Sequence, residues 1–213
     1  MVAPIKNEKQ RLKVLWQYDV LDSIPEEIFD DLTELAARIC EAPIAMITLV
    51  DEKRQWFKSK VGVTVSETSR DISFCGRAIE QSDLFIIPDA TMDQRFADNP
   101  LVTSDPKIRF YAGAPLITAD GYALGTLCVI DKVPRELRPE QKQALRVLAR
   151  HVMTQLELRR RTGALTRAHA ERDRVKDDLS KAQAEVARLR RQLKGRKAKA
   201  TATRKKPAKR RSR

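Results

Sequence analysis

Cys75 is the side chain of this 213-residue sequence whose type and position most readily allow chemistry. It follows Ser73 and Phe74 in a predicted short helix, residues 73–81, for which Ser73 is the expected N-cap. A thiol at a helix N-terminus has a lowered pKa, because the partial positive charge there stabilises the thiolate. Cys75 could therefore be a redox sensor or a nucleophile. The alternative is a small residue buried in the core.

A second group of candidate residues lies on and around a predicted lid loop at residues 90–107. Asp89, Asp93, Arg95 and Arg109 are expected to converge below this loop. They would hold a small anionic or amphipathic molecule against apolar walls, since binding clefts combine an aromatic lining with a few polar groups. The alternative is that Asp and Arg pair with each other and fasten the loop. The candidate ligand-binding residues are Phe74, Cys75, Asp89, Arg95, Phe96, Arg109 and Tyr111.

The other cysteines and the histidines do not form the pattern of a catalytic or metal site. Cys40 and Cys128 are expected to be core residues, and three distant cysteines without a Cys-x-x-Cys pair indicate a reducing compartment. His151 and His169 both fall on predicted C-terminal helices. The sequence contains no Gly-rich phosphate loop and no Ser/His/Asp order. We therefore predict no catalytic residue, no metal, no cofactor and no enzymatic activity.

A predicted β-hairpin, Ile108–Asp131, positions the candidate residues. Its two apolar runs flank Asp120-Gly121, a pair typical of tight turns between strands. Their near-continuous apolarity predicts central strands that are covered on both faces. Residues 62–70 are predicted to be a surface loop. The predicted strands are Ile44–Val50, Gln55–Val61, Leu84–Ile87, Ile108–Thr118 and Ala123–Ile130.

Three helices are predicted to pack on one face of this sheet, with the lid on the other face. They span residues 7–20, 25–40 and 139–160. Asn7 is the expected cap of the first helix, and Ser23 with Glu26 has capping-box spacing for the second. The predicted apolar stripe of the second helix consists of Ile28, Leu32, Leu35 and Ile39.

Six short blocks of the sequence occur in an order that is typical of one family. They are Leu21–Glu26, Asp51–Phe57, Ser73–Cys75, Asp93–Pro100, Phe110–Leu116 and Gly125–Asp131. On these blocks, residues 8–160 resemble GAF domains, in particular those that serve as sensory input modules of bacterial sensor histidine kinases and diguanylate cyclases. The resemblance implies an α/β (α+β) fold with a GAF/PAS-like central antiparallel sheet of five or six strands and flanking helices. It also implies a non-catalytic sensor of a small ligand or of redox state.

Several specialised members of this family differ from the present sequence. The Asn-Lys-Phe-Asp-Glu signature of cyclic-nucleotide-binding members is absent. Members that attach bilin use a Cys followed by His, whereas Gly76 follows Cys75 here. Free methionine sulfoxide reductases of this family use clustered cysteines. A small thiol-dependent redox enzyme of that kind is retained as an alternative function.

A heptad pattern at residues 161–193 predicts a parallel two-stranded coiled coil and hence a homodimer. Core positions repeat at three-four spacing, with Arg172 as the one charged a position. Opposite charges at g and e′ positions, such as Glu171 and Lys176, support a parallel pair. The alternative is a single solvated helix. The predicted core positions are Leu165, Ala168, Arg172, Val175, Leu179, Ala182, Val186, Leu189 and Leu193.

The segment 194–213 carries most of the net charge of +13. It contains eleven Lys or Arg and no acid, so the remaining 193 residues carry 31 − 29 = +2. This composition predicts a disordered basic tail that neutralises phosphate groups without reading sequence. Other polyanions, acidic proteins or a purely solubilising role are the alternatives. The candidate nucleic-acid-binding residues are Arg196, Lys197, Lys199, Arg204, Lys205, Lys206, Lys209, Arg210 and Arg211.

The sequence thus predicts a domain at residues 1–160, a coiled coil at 161–193 and a tail at 194–213. The first residues lack the apolar core of a signal peptide, and no apolar run approaches about 18 residues, so we expect a cytoplasmic protein without a membrane partner. The leading hypothesis is a bacterial signalling protein that acts through a dimeric coil and a basic tail. The alternative is a nucleoid or DNA-tethering protein whose domain is a dimer scaffold.

Overall fold

The structure of the chain, a computed structural model, describes residues 7–204, with side chains described for residues 7–195. Two compact units are present, one that ends at Arg161 and one that begins at Thr162. Helices α1 to α5 span Glu8–Gln17, Glu27–Cys40, Phe74–Ala78, Pro100–Thr103 and Pro139–Arg204. Strands β1 to β6 span Ile44–Val50, Arg54–Val61, Glu67–Ser69, Phe85–Ile87, Phe110–Ile117 and Ala123–Asp131.

The first unit is built on a six-stranded antiparallel sheet with the order β3-β2-β1-β6-β5-β4. The predicted hairpin is β5–β6, and Gly121 in its turn has a φ of 83°, a conformation that glycine adopts without strain. The antiparallel sheet and its predicted five or six strands are confirmed. β3 corrects the prediction of a surface loop at 62–70. Its sequence, Glu-Thr-Ser, is polar and too short to show the alternation of a half-buried strand.

The two central strands divide their side chains between two buried layers. In β6, Leu127 and Val129 face one layer, whereas Thr126 and Cys128 face the other, because residues two apart share a face of a strand. Strands β1 and β6 also approach closely at Gly125, where an added Cβ would lie 1.8 Å from the backbone oxygen of Thr48. A side chain at Gly125 would therefore push the two central strands apart.

The first buried layer lies between the sheet and three helices, as predicted. It contains Leu15 of α1, Phe29 of α2, and Leu145 and Val152 from the part of α5 that belongs to the first unit, all at 0% exposure. Burying large apolar side chains of this kind stabilises a fold by roughly 1.5–3 kcal/mol each. The second layer lies on the opposite face, below α3, α4 and the loop segments around them.

The predicted caps of the first two helices do not form. Asn7 has a φ of 48° and makes no side-chain cap, because this backbone does not aim its side chain at the first helical N–H groups. Ser23 and Glu26 serve another group. Both side chains accept hydrogen bonds from Nζ of Lys58, at 2.9 and 2.6 Å, and the Lys58 side chain is completely buried. Burying an ammonium group without hydrogen-bond partners costs much free energy. Ser23 and Glu26 therefore bind Lys58 and do not form a capping box.

The buried stripe of α2 is also one residue away from the predicted stripe. Ile28 and Leu35 are 42% and 44% exposed, whereas Phe29, Ala36 and Cys40 are buried. Residues 29, 33, 36 and 40 have the same four-three-four spacing as the predicted stripe. The small side chains among them let the helix approach the sheet closely, which the more apolar stripe would not permit.

The second unit contains the C-terminal part of α5, whose backbone is helical to Arg204. A disordered tail was predicted to begin at Lys194, and the structure instead continues the helix over 194–204. Most residues there are Lys, Arg and Ala, which favour helix, so the absence of an apolar face does not by itself end the helix. Residues 205–213 lie outside the described residues.

Candidate functional site

Four aromatic rings meet in the second buried layer. The ring centroids of Phe74 and Phe96 are 4.1 Å apart with an interplanar angle of 9°, and Phe74 also stacks on Tyr111 at 5.3 Å. Phe85 contacts Tyr111 edge-on at 6.1 Å. Three of these residues were predicted as apolar walls, and the structure brings them together. Phe85 was not singled out, although its place on the short apolar strand β4 pointed to burial.

Cys75 lies in a buried polar cluster within this apolar layer. Its Sγ is 3.8 Å from Sγ of Cys128 and accepts a hydrogen bond of 3.2 Å from the hydroxyl of Tyr111. The hydroxyls of Thr48 and Thr126, paired across β1 and β6, lie 3.1 Å apart beside the sulfur atoms. The exposed fraction of every one of these five residues is at most 1%. Cys128 is therefore a core residue, as predicted, and also a neighbour of Cys75.

The surroundings of Cys75 favour its thiolate. Burial raises the pKa of this thiol, but hydrogen bonds from the Cys128 thiol and from three hydroxyls outweigh burial and bring the pKa to about 7. The hydrogen bond to Cys75 and burial raise the pKa of Cys128 well above its ordinary value. A lowered pKa was expected from the N-terminus of a helix at 73–81. The structure supplies a different cause, since α3 has only five residues and the stabilising groups are the Cys128 thiol and three hydroxyls on the sheet.

Two local features hold this cluster in place. The side chain of Ser73 accepts a hydrogen bond of 2.8 Å from the backbone N–H of Gly76, so the predicted cap of α3 is present and fixes the start of this short helix. Gly113 lies beside the ring of Tyr111. An added Cβ there would be 2.3 Å from the Tyr111 hydroxyl oxygen, so only glycine leaves room for the ring to reach Cys75.

A cavity of about 90 Å³ adjoins the cluster. Its walls are mostly apolar and come from the sheet, from α3 and from the segment around α4, which supports the prediction of a lid over this face. Two polar atoms at this cavity lack a hydrogen-bond partner among the described residues, namely Oε1 of Gln55 and Oγ1 of Thr68. These residues face each other across β2 and β3. The residues that line the cavity include Gln55, Phe57, Thr68, Phe74, Cys75 and Tyr111.

The predicted polar ligand contacts lie elsewhere. Arg95 pairs with Asp93 through two hydrogen bonds, and its guanidinium lies 4.8 Å from the ring centroid of Phe85. Asp89 accepts hydrogen bonds from the backbone N–H and the hydroxyl of Thr91. Arg109 donates to two backbone oxygens. None of these charged side chains lines the cavity, and the Arg95–Asp93 pair fastens the loop, as the alternative interpretation has it.

Within residues 7–195, where side chains are described, the structure contains no group of three or more His, Cys, Asp or Glu side chains arranged to hold a metal ion. Over the same part of the chain, none of the helices is both long enough and apolar enough to cross a bilayer. Four of the predicted nucleic-acid-binding residues, Arg196, Lys197, Lys199 and Arg204, have helical backbone. The other five, Lys205, Lys206, Lys209, Arg210 and Arg211, lie outside the described residues.

The predicted coiled-coil positions form an exposed apolar stripe on α5. Leu179 is 57% exposed and Leu189 45%, and the other large members are similarly accessible. Apolar side chains at this spacing are ordinarily buried against a second helix. The large exposed members of the stripe are Leu165, Val175, Leu179, Val186, Leu189 and Leu193.

Comparison with known proteins shows which family this chain matches. Residues 25–156 match the GAF domain. The chain is 39% identical over 178 residues to a cyclic di-GMP phosphodiesterase of Pseudomonas aeruginosa, an alignment that covers 82% of this chain but 30% of that protein.

Solved structures resemble the fold at low sequence identity. The GAF domain of an Acinetobacter phosphoenolpyruvate-protein phosphotransferase has a TM-score of 0.53 at 16% identity, covering 73% of this chain and 96% of its own. Free methionine-R-sulfoxide reductase of Neisseria meningitidis has a TM-score of 0.53 at 14% identity, covering 76% of this chain and 98% of its own. Similarity at this level concerns the fold alone.

Proposed function

The chain belongs to the GAF domain family, and from that premise we propose that it is a sensory module whose stimulus, a small uncharged molecule or an oxidant, acts at the cavity beside Cys75. The observation that carries the proposal is the pair of buried, unpartnered oxygens of Gln55 and Thr68 on an otherwise apolar wall. A buried polar atom without a partner costs about 1–3 kcal/mol. A molecule that supplies the missing hydrogen bonds regains part of that free energy.

The cavity also limits the chemistry of the ligand. Its volume of about 90 Å³ is smaller than the roughly 150 Å³ of an engineered apolar cavity that binds benzene, so the ligand has only a few non-hydrogen atoms. Among the described residues, no Asp, Glu, Lys, Arg or His lines the cavity, and an ion without a partner of opposite charge is strongly disfavoured there. The expected ligand is therefore neutral and compact, with a donor for Gln55 and an acceptor for Thr68.

A pair of isosteric probes tests this ligand class. Propionamide offers an amide donor and a carbonyl acceptor, whereas propionate has the same shape and a negative charge. We expect saturable amide chemical-shift changes with propionamide around β2, β3 and α3, and none with propionate. Thr68→Val should weaken the response, and Thr64→Val, at an exposed position outside the cavity lining, should not. Equal responses to both probes would refute the proposed ligand class.

The proposed output is a change in the pairing of α5 between two copies of the chain. The exposed heptad stripe supports this, because a second copy of the same helix would cover it. A stimulus can shift the balance between two dimer states only by its difference in affinity for them. The spacing of the apolar positions favours a two-stranded pair, and the opposite charges at g and e′ positions, such as Glu171 and Lys176, favour a parallel homodimer. Such a dimer presents residues 194–213 twice.

We propose that the chain itself is non-catalytic. The relative from Pseudomonas aeruginosa is named for cyclic di-GMP hydrolysis, but this chain spans 30% of that protein. We expect no hydrolysis of cyclic di-GMP by the purified chain with magnesium or manganese added. Turnover that survives further purification would contradict a purely sensory role.

A further inference from the structure

We propose that Cys75 and Cys128 form a reversible intramolecular disulfide when a peroxide reaches the cavity. This inference rests on the proposed function, in the case where the stimulus is an oxidant. It identifies the oxidant as a peroxide, the partner of Cys75 as Cys128 and the product as a disulfide. A reactive role for Cys128 was not expected, because its position in the sequence predicted only a core residue.

The geometry places the two sulfur atoms in direct contact. They are 3.8 Å apart, and a disulfide requires about 2.05 Å, so the two atoms must approach by roughly 1.8 Å. Cys128 lies on a central strand of the sheet and is held by its neighbours on both sides. Cys75 lies on the five-residue helix α3, so α3 is the element that moves. The third cysteine, Cys40, is in the other buried layer, on the opposite face of the sheet.

The same cluster activates Cys75 for attack on a peroxide. The thiolate is the nucleophilic form of cysteine, and the hydroxyls of Tyr111, Thr48 and Thr126 stabilise it by hydrogen bonding. Cys128 retains its proton under the same conditions and remains beside the sulfur that becomes oxidised. One sulfur is thus arranged to attack and the other to resolve the product.

The cavity determines which oxidants can reach the pair. Cys75 lines it, and a volume of about 90 Å³ accommodates hydrogen peroxide, which is uncharged and has two oxygen atoms. A larger charged thiol or disulfide reagent does not fit. Selectivity for small peroxides over bulky disulfides is therefore expected from the fold.

The chemistry proceeds in two balanced steps. The Cys75 thiolate attacks one peroxide oxygen, the S–O bond forms and the O–O bond breaks. The departing hydroxide takes up the proton that Cys75 had lost, which yields a sulfenic acid and water. The Cys128 sulfur then attacks Sγ of Cys75, the S–O bond breaks and a second water leaves with the Cys128 proton. Two thiols are oxidised to a disulfide, and one peroxide is reduced to two waters.

The experiment exposes the purified full-length chain to hydrogen peroxide, removes the excess, denatures the protein in N-ethylmaleimide and measures intact mass and peptide linkage. We expect the number of alkylated thiols to fall from three to one, with a peptide cross-link between residues 75 and 128 that a thiol reductant reverses. Cys40→Ser should leave the cross-link intact. Cys128→Ala should abolish it and leave a dimedone-reactive sulfenic acid at Cys75. Cys128→Ser is the second variant in case the first one does not fold.

Two results would overturn the inference. One is retention of three alkylated thiols at peroxide concentrations that oxidise free cysteine. The other is a disulfide that persists in both Cys128 variants. Binding of propionamide does not depend on the disulfide, so failure of the disulfide and failure of the ligand proposal are distinguishable.

Discussion

Truncation of one exposed leucine on α5 tests whether the chain pairs through this helix. Leu179 is 57% exposed in the single chain and occupies a central a position of the heptad stripe. Leu179→Ala removes about three carbon groups, each worth about 0.8 kcal/mol when fully buried. If the exposed 57% becomes buried on pairing, the loss is about 1.4 kcal/mol per chain and about 2.7 kcal/mol per dimer. We therefore expect the dimer dissociation constant to rise about a hundredfold.

Sedimentation equilibrium of the full-length chain over a range of concentrations measures this constant. Lys181→Ala is the matched control, because Lys181 lies two residues away at a c position and its side chain is 78% exposed. The control should change the constant by less than about twofold, as expected for an exposed charge. Pairing through this stripe is refuted if the unmodified chain is monomeric at high concentration, or if both variants weaken association equally.

Three further predictions concern the cavity, the cluster and the tail. Thr68→Val should raise the free energy of unfolding by about 1 kcal/mol or more in urea denaturation, since it removes a buried hydroxyl that lacks a partner among the described residues, and a fall in the free energy of unfolding would mean that the hydroxyl has a partner. Gly113→Ala should destabilise the protein by about 1–3 kcal/mol, because the new Cβ meets the Tyr111 hydroxyl at 2.3 Å, whereas Gly163→Ala on α5 should not destabilise it. Full-length protein should bind duplex DNA with a steep salt dependence that a 1–193 truncation loses, and equal binding by both would exclude the tail.

Much of the sheet could be predicted from local patterns. β1 and the hairpin β5–β6 are near-continuous apolar runs bounded by turn residues. Such runs by themselves indicate central strands. The edge strand β3 carries no such pattern, because three polar residues pair with β2 through backbone groups. Edge strands of this kind depend on the neighbouring strand more than on their own sequence.

In the candidate site, too, local contacts could be predicted from the sequence, whereas contacts between distant residues could not. The Arg95–Asp93 pair is two residues apart and was one of the two interpretations of that loop. The contact between Cys75 and Cys128 spans 53 residues and depends on which face of β6 meets α3. The unpartnered oxygens of Gln55 and Thr68 depend on the pairing of β3. These features follow from tertiary packing, so residue type and spacing do not disclose them.

The helix α2 shows why apolarity alone does not identify the buried face. Two stripes of identical spacing run along it, and the more apolar one, with Ile28 and Leu35, is half exposed. The stripe with Phe29, Ala36 and Cys40 is buried instead, since small residues permit close packing.

The most direct test of the central claim, that the cavity beside Cys75 is the sensory site, is to locate a bound probe. Intermolecular NOEs would be measured between propionamide and full-length protein labelled at Ile, Leu and Val methyl groups. We expect NOEs to Ile130 and Val63, which line the cavity, and none to Leu127 or Val129 in the opposite layer. NOEs confined to that opposite layer, or none at saturating propionamide, would contradict this claim.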